Sequence, residues 1–372
     1  MSRKLIVYIF GNGRRLRIQS KNLDSHEFFY GYFYFLQKYK NVDIVEMNKE
    51  EKLSSIGLNL LLFIDKVLRK LSNLPFYLSL ITSLENYRII KRSSTIISTN
   101  DRLAISVLPM VLITKIFKKT NLNIIVMGLF NKNKKNNLIR KFLMYTLFKS
   151  TENFIFLGKG EYDNAIQNYP NYDEKFHFLP FCIDSKFWKS KSFNEKAKGT
   201  ILFLGNDGNR DFDFAKDLAE RLENLNFKFV TSHKYEIKNL PKNVEYVQAN
   251  WNENILSDKD IRNHYENALL TIVPLKESLQ PSGQSVALQS MSMGIPVLIS
   301  KTKGFWDIEN FIENENVFFE LSSNPNLWSE KINNLYDNTT LLKKVAQEAS
   351  LLVRKQYNIK EFHNYLEEEL IY

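Results

Sequence analysis

A single cysteine, Cys182, stands in 372 residues, so no disulfide can close within the chain and no thiolate-rich metal site can be built. One unpaired thiol fits a reducing compartment. The five histidines are scattered, and no Cys/His cluster has metal-ligand spacing, so a metal-independent chemistry is the expectation. Long apolar runs are also missing. The uncharged, mainly apolar stretches Leu71–Leu84 and Leu103–Thr114 fall short of the ~18–20 residues that span a bilayer. The apolar start, Lys4–Phe10, is short, has no small-residue cleavage site behind it, and reads as a first strand. Glycine and proline are few, at 13 and 9, and no internal repeat or low-complexity tract is present.

Apolar residues make up 44% and charged residues 25%, which excludes disorder for the whole, and the length suits two domains. The net charge of +10 is unevenly placed. Residues 1–190 hold 30 Lys and Arg against 15 Asp and Glu, whereas residues 191–372 hold 21 against 26. Most of the excess lies between 51 and 150, at 17 against 4. An anionic partner for the first half follows, or else a solvated basic face.

Short apolar strands alternate with amphipathic helices in both halves. The first-half strands are Lys4–Phe10, Val42–Met47, Thr95–Thr99, Asn123–Met127, Phe154–Leu157 and Phe176–Phe181. Those of the second are Thr200–Leu204, Phe227–Thr231, Val244–Val247, Leu270–Val273 and Pro296–Ser300. The pattern predicts an α/β chain of two Rossmann-like domains that face each other across a cleft. Residues 1–184 form the first domain, 185–199 a linker, 200–350 the second domain, and 351–372 a C-terminal helix able to cross back to the first.

The densest chemistry is in Leu269–Ser300, where a buried strand leads through Pro281-Ser282-Gly283 into an apolar helix. Ser282 reads as the helix N-cap, and Gly283 lets the backbone approach a ligand. The free amides of Gly283, Gln284 and Ser285 would suit a phosphate, although a capped turn has the same spelling. After the first strand, Gly11-Asn12-Gly13 offers small residues beside Arg14, Arg15 and Arg17 to a phosphate or acceptor, but it fails as a dinucleotide fingerprint. His26 is read as an acceptor-side candidate against the simpler reading of a structural histidine.

The tract ending Gln289-Ser-Met-Ser-Met-Gly294-Ile-Pro296-Val resembles the donor-site helix of glycosyltransferase family 4 and its GT-B relatives. There, two glutamates stand eight positions apart. Gln289 takes the place of the second, which contacts the nucleotide ribose, and Pro281 the place of the first, which touches the donor sugar. An amide can still bond ribose hydroxyls. The resemblance then leaves sugar recognition to Glu277, Gln280 or Gln284. Thr200–Arg210 resembles the family's diphosphate loop, with Gly205, Asn206 and Arg210 as its donor-binding residues. Arg210 alternatively pairs with Asp211 and has no ligand role.

His177–Trp188 resembles the family's end of the first domain, with Asp184 capping the turn and Cys182 as a packed thiol. Met127–Phe130 stands where the family often carries a histidine, so no general base is implied. What the resemblance implies is a retaining, metal-independent hexosyl transfer from a nucleotide diphosphate sugar as co-substrate, without a resident cofactor. Arg210 and Glu277 are its expected catalytic residues, and the departing phosphate acts as base.

Basic and apolar residues interleave through 51–150, which suits docking to an anionic membrane that carries a lipid-linked, lipopolysaccharide or polysaccharide acceptor. A cytoplasmic protein, peripheral on the inner face of the plasma membrane, is the expectation. No nucleic-acid motif is present. Two rival readings stay open: a GT-B nucleotide-sugar epimerase, and a non-catalytic protein that binds sugar nucleotide or membrane.

Overall fold

The computed structural model describes residues 5–20, 25–47, 55–131, 137–190, 199–249 and 256–370. Residues 191–198 of the expected linker, and 51–54 and 132–136 of the basic segment, lie outside them. The first half contains β1 (Ile6–Phe10), α1 (Arg14–Gln19), α2 (Tyr32–Tyr39), β2 (Val42–Glu46), α3 (Ser55–Ser72), α4 (Leu84–Arg92) and β3 (Thr95–Ser98). It continues with α5 (Asp101–Phe117), β4 (Asn121–Val126), α6 (Leu138–Ser150), β5 (Asn153–Phe156), α7 (Lys159–Asn168) and β6 (Phe176–Phe178). The second half has β7 (Thr200–Leu204), α8 (Phe212–Arg221), β8 (Asn226–Thr231), β9 (Val244–Gln248), α9 (Asp258–Glu266), β10 (Leu270–Val273) and α10 (Gln284–Ser292). It ends with β11 (Val297–Ser300), β12 (Phe318–Glu320), α11 (Pro325–Asp337), α12 (Thr339–Gln356) and α13 (Ile359–Leu370).

Two six-stranded parallel sheets result, ordered β2-β1-β3-β4-β5-β6 and β12-β11-β10-β7-β8-β9. Every residue of β1, Ile-Val-Tyr-Ile-Phe, is buried, as strands covered on both faces by helices require. In each sheet the chain starts on an inner strand and later reverses direction. The reversals fall between β1 and β3 and between β7 and β10. Loops leaving the carboxyl ends of strands at such points diverge and leave a crevice. The loops after β1, β7 and β10 carry Gly11 and Gly13, Gly205 and Gly208, and Gly283.

Residues 351–356 complete α12, the helix is interrupted at Tyr357-Asn358, and α13 packs on the first domain. There the Glu367 carboxylate accepts from Tyr34 Oη and Tyr39 Oη at 2.5 Å and from Lys38 Nζ. On the far side of the crevice, Asn131 Oδ1 accepts from Ser278 Oγ and from the amides of Leu279 and Gln280. Lys159 N donates to Trp306 O at 2.9 Å. The two halves are therefore tied at both ends of the cleft.

Candidate functional site

The loop after β7 is pinned by backbone contacts to the exit of β10. Arg210 bridges Leu275, Asp211 N donates to Pro274 O, and Lys276 N donates to Asn209 O. This register sends the Arg210 side chain beneath two glycines. A Cβ on Gly205 would stand 2.3 Å from Arg210 Nε, and one on Gly283 2.7 Å from its Nη1. Both glycines hold positive φ, +145° and +77°. Glycine is required at both positions for backbone shape and for the guanidinium's space.

Arg210 is 1% exposed, yet neither its Nε nor its Nη1 has a hydrogen-bond partner. Asp207 Oδ2 lies 3.2 Å from Nε without hydrogen-bond geometry, and that carboxylate is 42% exposed. A buried guanidinium with idle donors costs free energy unless an anion completes it. Gly283 caps α10, whose first amides have no intrahelical acceptor. Ser282 is not the cap expected of it. The helix begins one residue later on the left-handed glycine, and Ser282 Oγ instead accepts from Asn209 Nδ2 at 2.7 Å.

Facing Arg210, the first domain brings Asn12, Gly13, Arg14, Arg17 and Phe28. Gly13 caps α1 with φ +86°, which turns the chain so that the arginines follow at once. Arg14 lies 5.8 Å from the centre of the Phe28 ring and 5.6 Å from that of Phe29, and burial lowers its pKa. Arg17 pairs with Asp258 at 3.4 Å across the domain boundary. The cleft so formed holds about 830 Å3, mouth included, and is completed by Gly205, Asn206, Asp207, Ser285, Val286 and Gln289.

Behind this wall, Glu27 is buried in the 3-10 turn Glu27–Phe29. Its Oε1 accepts from Trp188 Nε1 at 2.7 Å and Gln289 Nε2 at 3.0 Å. Burial pushes its carboxyl up to about 7. Glu161, a second buried carboxyl raised by burial to about 8, accepts from the amides of Gly128 and Phe130 and shapes the loop after β4.

The structure brings together Gly205, Asn206, Arg210, Ser285, Gln289, Asn12 and Gly13 around one cleft, with Gly283 touching Arg210. Asn206 is the floor of its loop: Oδ1 accepts from Thr231 Oγ1 and Nδ2 donates to Ala249 O. Gln284 keeps a buried Oε1 without a partner. Glu277 is placed elsewhere. It is exposed, accepts from Lys303 N at 3.0 Å, and lines a separate cavity with Lys301 and Glu320, because the loop after β10 turns outward before Pro281. His26 stacks on Phe33 at 4.5 Å, and Gly11 lies outside the cleft lining.

Asp211 does not pair with Arg210; it caps α8 by accepting from Phe214 N. Asp184 caps its turn by accepting from Lys186 N and Phe187 N. Cys182 is buried, and burial raises its thiol pKa. The absence of an Asp-x-Asp spelling expected from the sequence is corrected by two of them, Asp211–Asp213 and Asp258–Asp260; Asp211 caps α8, Asp260 forms a capping box with Ser257, and Asp258 holds Ser25. Sequence reasoning also passed over Glu27, Phe28 and Asp207, which carry no local signal.

Over nearly the whole chain the fold is similar to that of Anabaena Alr3699/HepE in its complex with UDP and glucose. The TM-score is 0.68 at 11% identity, with 98% of each chain covered. A glycosyltransferase from Rickettsia africae ESF-5 gives 0.66 at 12%, covering 99% of this chain and 98% of that one. Sucrose-phosphate synthase from Thermosynechococcus elongatus gives 0.67 at 10%, with 98% of each covered. No protein-family model and no curated protein matches the sequence. At these identities the likeness carries the architecture: the chain has the GT-B fold of two facing Rossmann-like domains.

Proposed function

We propose that the protein is a glycosyltransferase that moves a hexose-type sugar from a nucleotide diphosphate sugar to a glycan or lipid-linked acceptor. The observation that carries this reading is the buried Arg210 guanidinium, whose Nε and Nη1 have no hydrogen-bond partner, beside the open N-terminus of α10, with Arg14 and Arg17 opposite. Three guanidinium groups and a helix N-terminus in one cleft match a diphosphate in charge and in donor geometry. The complexes of HepE with UDP and UDP-glucose support the same ligand class.

In the proposed reaction, the bond from the anomeric carbon to the phosphate oxygen breaks as a bond to an acceptor hydroxyl oxygen forms. The hydroxyl proton passes to the departing diphosphate, whose charge Arg210 and the α10 amides stabilise. Retention and metal independence follow from the family resemblance and belong to the proposal. Glu277 has no part in it, since it lies outside the cleft.

Thermal denaturation with UDP, GDP, ADP and their common sugars tests the reading. A nucleotide at 100 times its Kd should stabilise the fold by about 2.7 kcal/mol. Silence with every nucleotide would leave the non-catalytic docking reading in its place.

The proposed acceptor brings the protein to the cytoplasmic face of an anionic membrane. Among the described residues no helix is long and apolar enough to cross one. A peripheral contact has a suitable surface in α3, α5 and α6, which pack side by side. The only acids on these three helices, Asp65 and Asp101, are buried. They carry 11 of the 19 large apolar side chains exposed among the described residues, which concentrates the apolar surface on one face. Phe63, Ile116, Phe117 and Phe142 stand out, between exposed Lys66, Lys70, Lys119 and Lys141.

Apolar side chains that enter the headgroup layer, beside lysines worth about 1 kcal/mol each, suffice for reversible binding. The protein should sediment with phosphatidylglycerol vesicles and not with phosphatidylcholine alone. Phe117→Glu with Phe142→Glu should weaken this at least tenfold at unchanged melting temperature. Equal binding by the variant removes the surface from the proposal.

A further inference from the structure

Gln289 lines the cleft although it is 3% exposed, and its amide is held from two sides. Nε2 donates to Glu27 Oε1 at 3.0 Å, and Oε1 accepts from Tyr265 Oη at 3.2 Å. Once ionised, the Glu27 carboxylate only accepts and so turns the amide NH2 toward itself and the amide oxygen toward Tyr265, whose single proton is shared between Gln289 Oε1 and Val286 O, each at 3.2 Å. One N–H and one lone pair remain for whatever occupies the cleft beside Phe28 and Ser285.

Glu27 is itself fixed. Trp188 Nε1 donates to it at 2.7 Å, and the Trp188 ring meets Tyr265 edge-on at 6.0 Å. Two residues earlier, Ser25 donates through N and Oγ to Asp258 Oδ2, at 3.1 and 2.7 Å. Asp258 begins α9 of the second domain. The Ser25–Phe29 segment thus belongs to the first domain by sequence and is bolted to the second by carboxylates running both ways. Its Phe28 is part of the cleft wall.

We propose that Glu27 is a positioning residue of the nucleotide site: a carboxylate from the first domain that orients the Gln289 amide for the ligand. The inference rests on the nucleotide-site reading above. It accounts for the residue type at 289, because a glutamate there would set two carboxylates about 3 Å apart away from water. One of them would have to hold a proton. The two positions therefore form a complementary pair, one acid and one amide, split between the domains.

The pair calls for a reciprocal exchange. Calorimetric titration of the full chain with UDP, with GDP and ADP in parallel, would compare Glu27→Gln, Gln289→Glu and the double exchange at pH 8. Thermal melts would check that each variant is folded at the titration temperature. Gln289→Glu should weaken UDP at least tenfold through carboxylate repulsion, and Glu27→Gln severalfold by freeing the amide to flip. The double exchange restores one acid facing one amide and should return affinity to within about threefold of the parent.

Single variants that bind UDP like the parent would reduce Glu27 to a packing residue and overturn the inference. So would a double variant that binds no better than Gln289→Glu alone. If the parent itself binds no nucleotide, the nucleotide-site reading fails first, a result separate from either of these.

Discussion

Arg210→Met should remove the nucleotide response while leaving the ligand-free melting temperature unchanged or higher. Both signs come from one observation. The guanidinium is 1% exposed and its Nε and Nη1 donate to nothing, so without ligand it costs stability. Replacing a buried, poorly paired charge by an apolar side chain of similar length is often neutral or stabilising. With a diphosphate present the same donors become charge-assisted bonds in a dry site. Removing groups that stabilise developing charge lowers turnover by about 10²–10³-fold in other enzymes, and Arg210 should fall at the upper end.

Arg210→Lys keeps the charge and loses the planar fork, so it should lie between the two. The checks are melting curves with and without UDP, and sugar transfer or donor hydrolysis once a donor is known. A lower ligand-free melting temperature with an unchanged nucleotide shift would show that Arg210 holds the loop and not the ligand.

The sheets were legible because parallel strands covered on both faces are nearly continuous apolar runs. Thr200–Leu204 and Leu270–Val273 have the bounds that the sequence pattern gives them. β12 was not read, since three residues, Phe318–Glu320, carry too little period, and its pairing with β11 is set by tertiary packing. The arginine at 210 and the glycines at 205 and 283 were visible as residue types. Their meeting was not, because it depends on a backbone bridge from Arg210 to Leu275, 65 residues away.

Ser282 shows the limit of local rules. It has the chemistry of a cap, but Gly283 in a left-handed conformation starts the helix and frees the serine for Asn209. Glu27 lay beyond sequence reasoning altogether: its partners are 161 and 262 positions distant, and nothing around it marks a carboxylate as buried. Glu277 is the opposite case. It has the right charge at a plausible distance from the helix, on a stretch of loop that leaves the cleft.

Gly160→Ala should pry the two domains apart, with a sign that helix propensity cannot produce. Gly160 sits within the first turn of α7, where alanine is intrinsically better by up to about 1 kcal/mol. A Cβ there, however, would stand 2.0 Å from the carbonyl oxygen of Lys303, backbone that no rotamer change can move aside. The adjacent Lys159 N to Trp306 O bond and the close approach of Gly158 to Pro281 lie on the same contact, so the displacement cannot be confined to one residue.

Overpacking of this kind costs about 1–3 kcal/mol, enough to outweigh the propensity gain. Thermal denaturation should show a lower midpoint, and small-angle scattering a larger radius of gyration. UDP should bind more weakly, because Arg14 and Arg17 withdraw from Arg210 when the walls separate. If the variant is instead more stable at an unchanged radius, the domains do not meet at this contact in solution. The cleft would then lose its first-domain wall, and with it the part of the diphosphate site that faces Arg210.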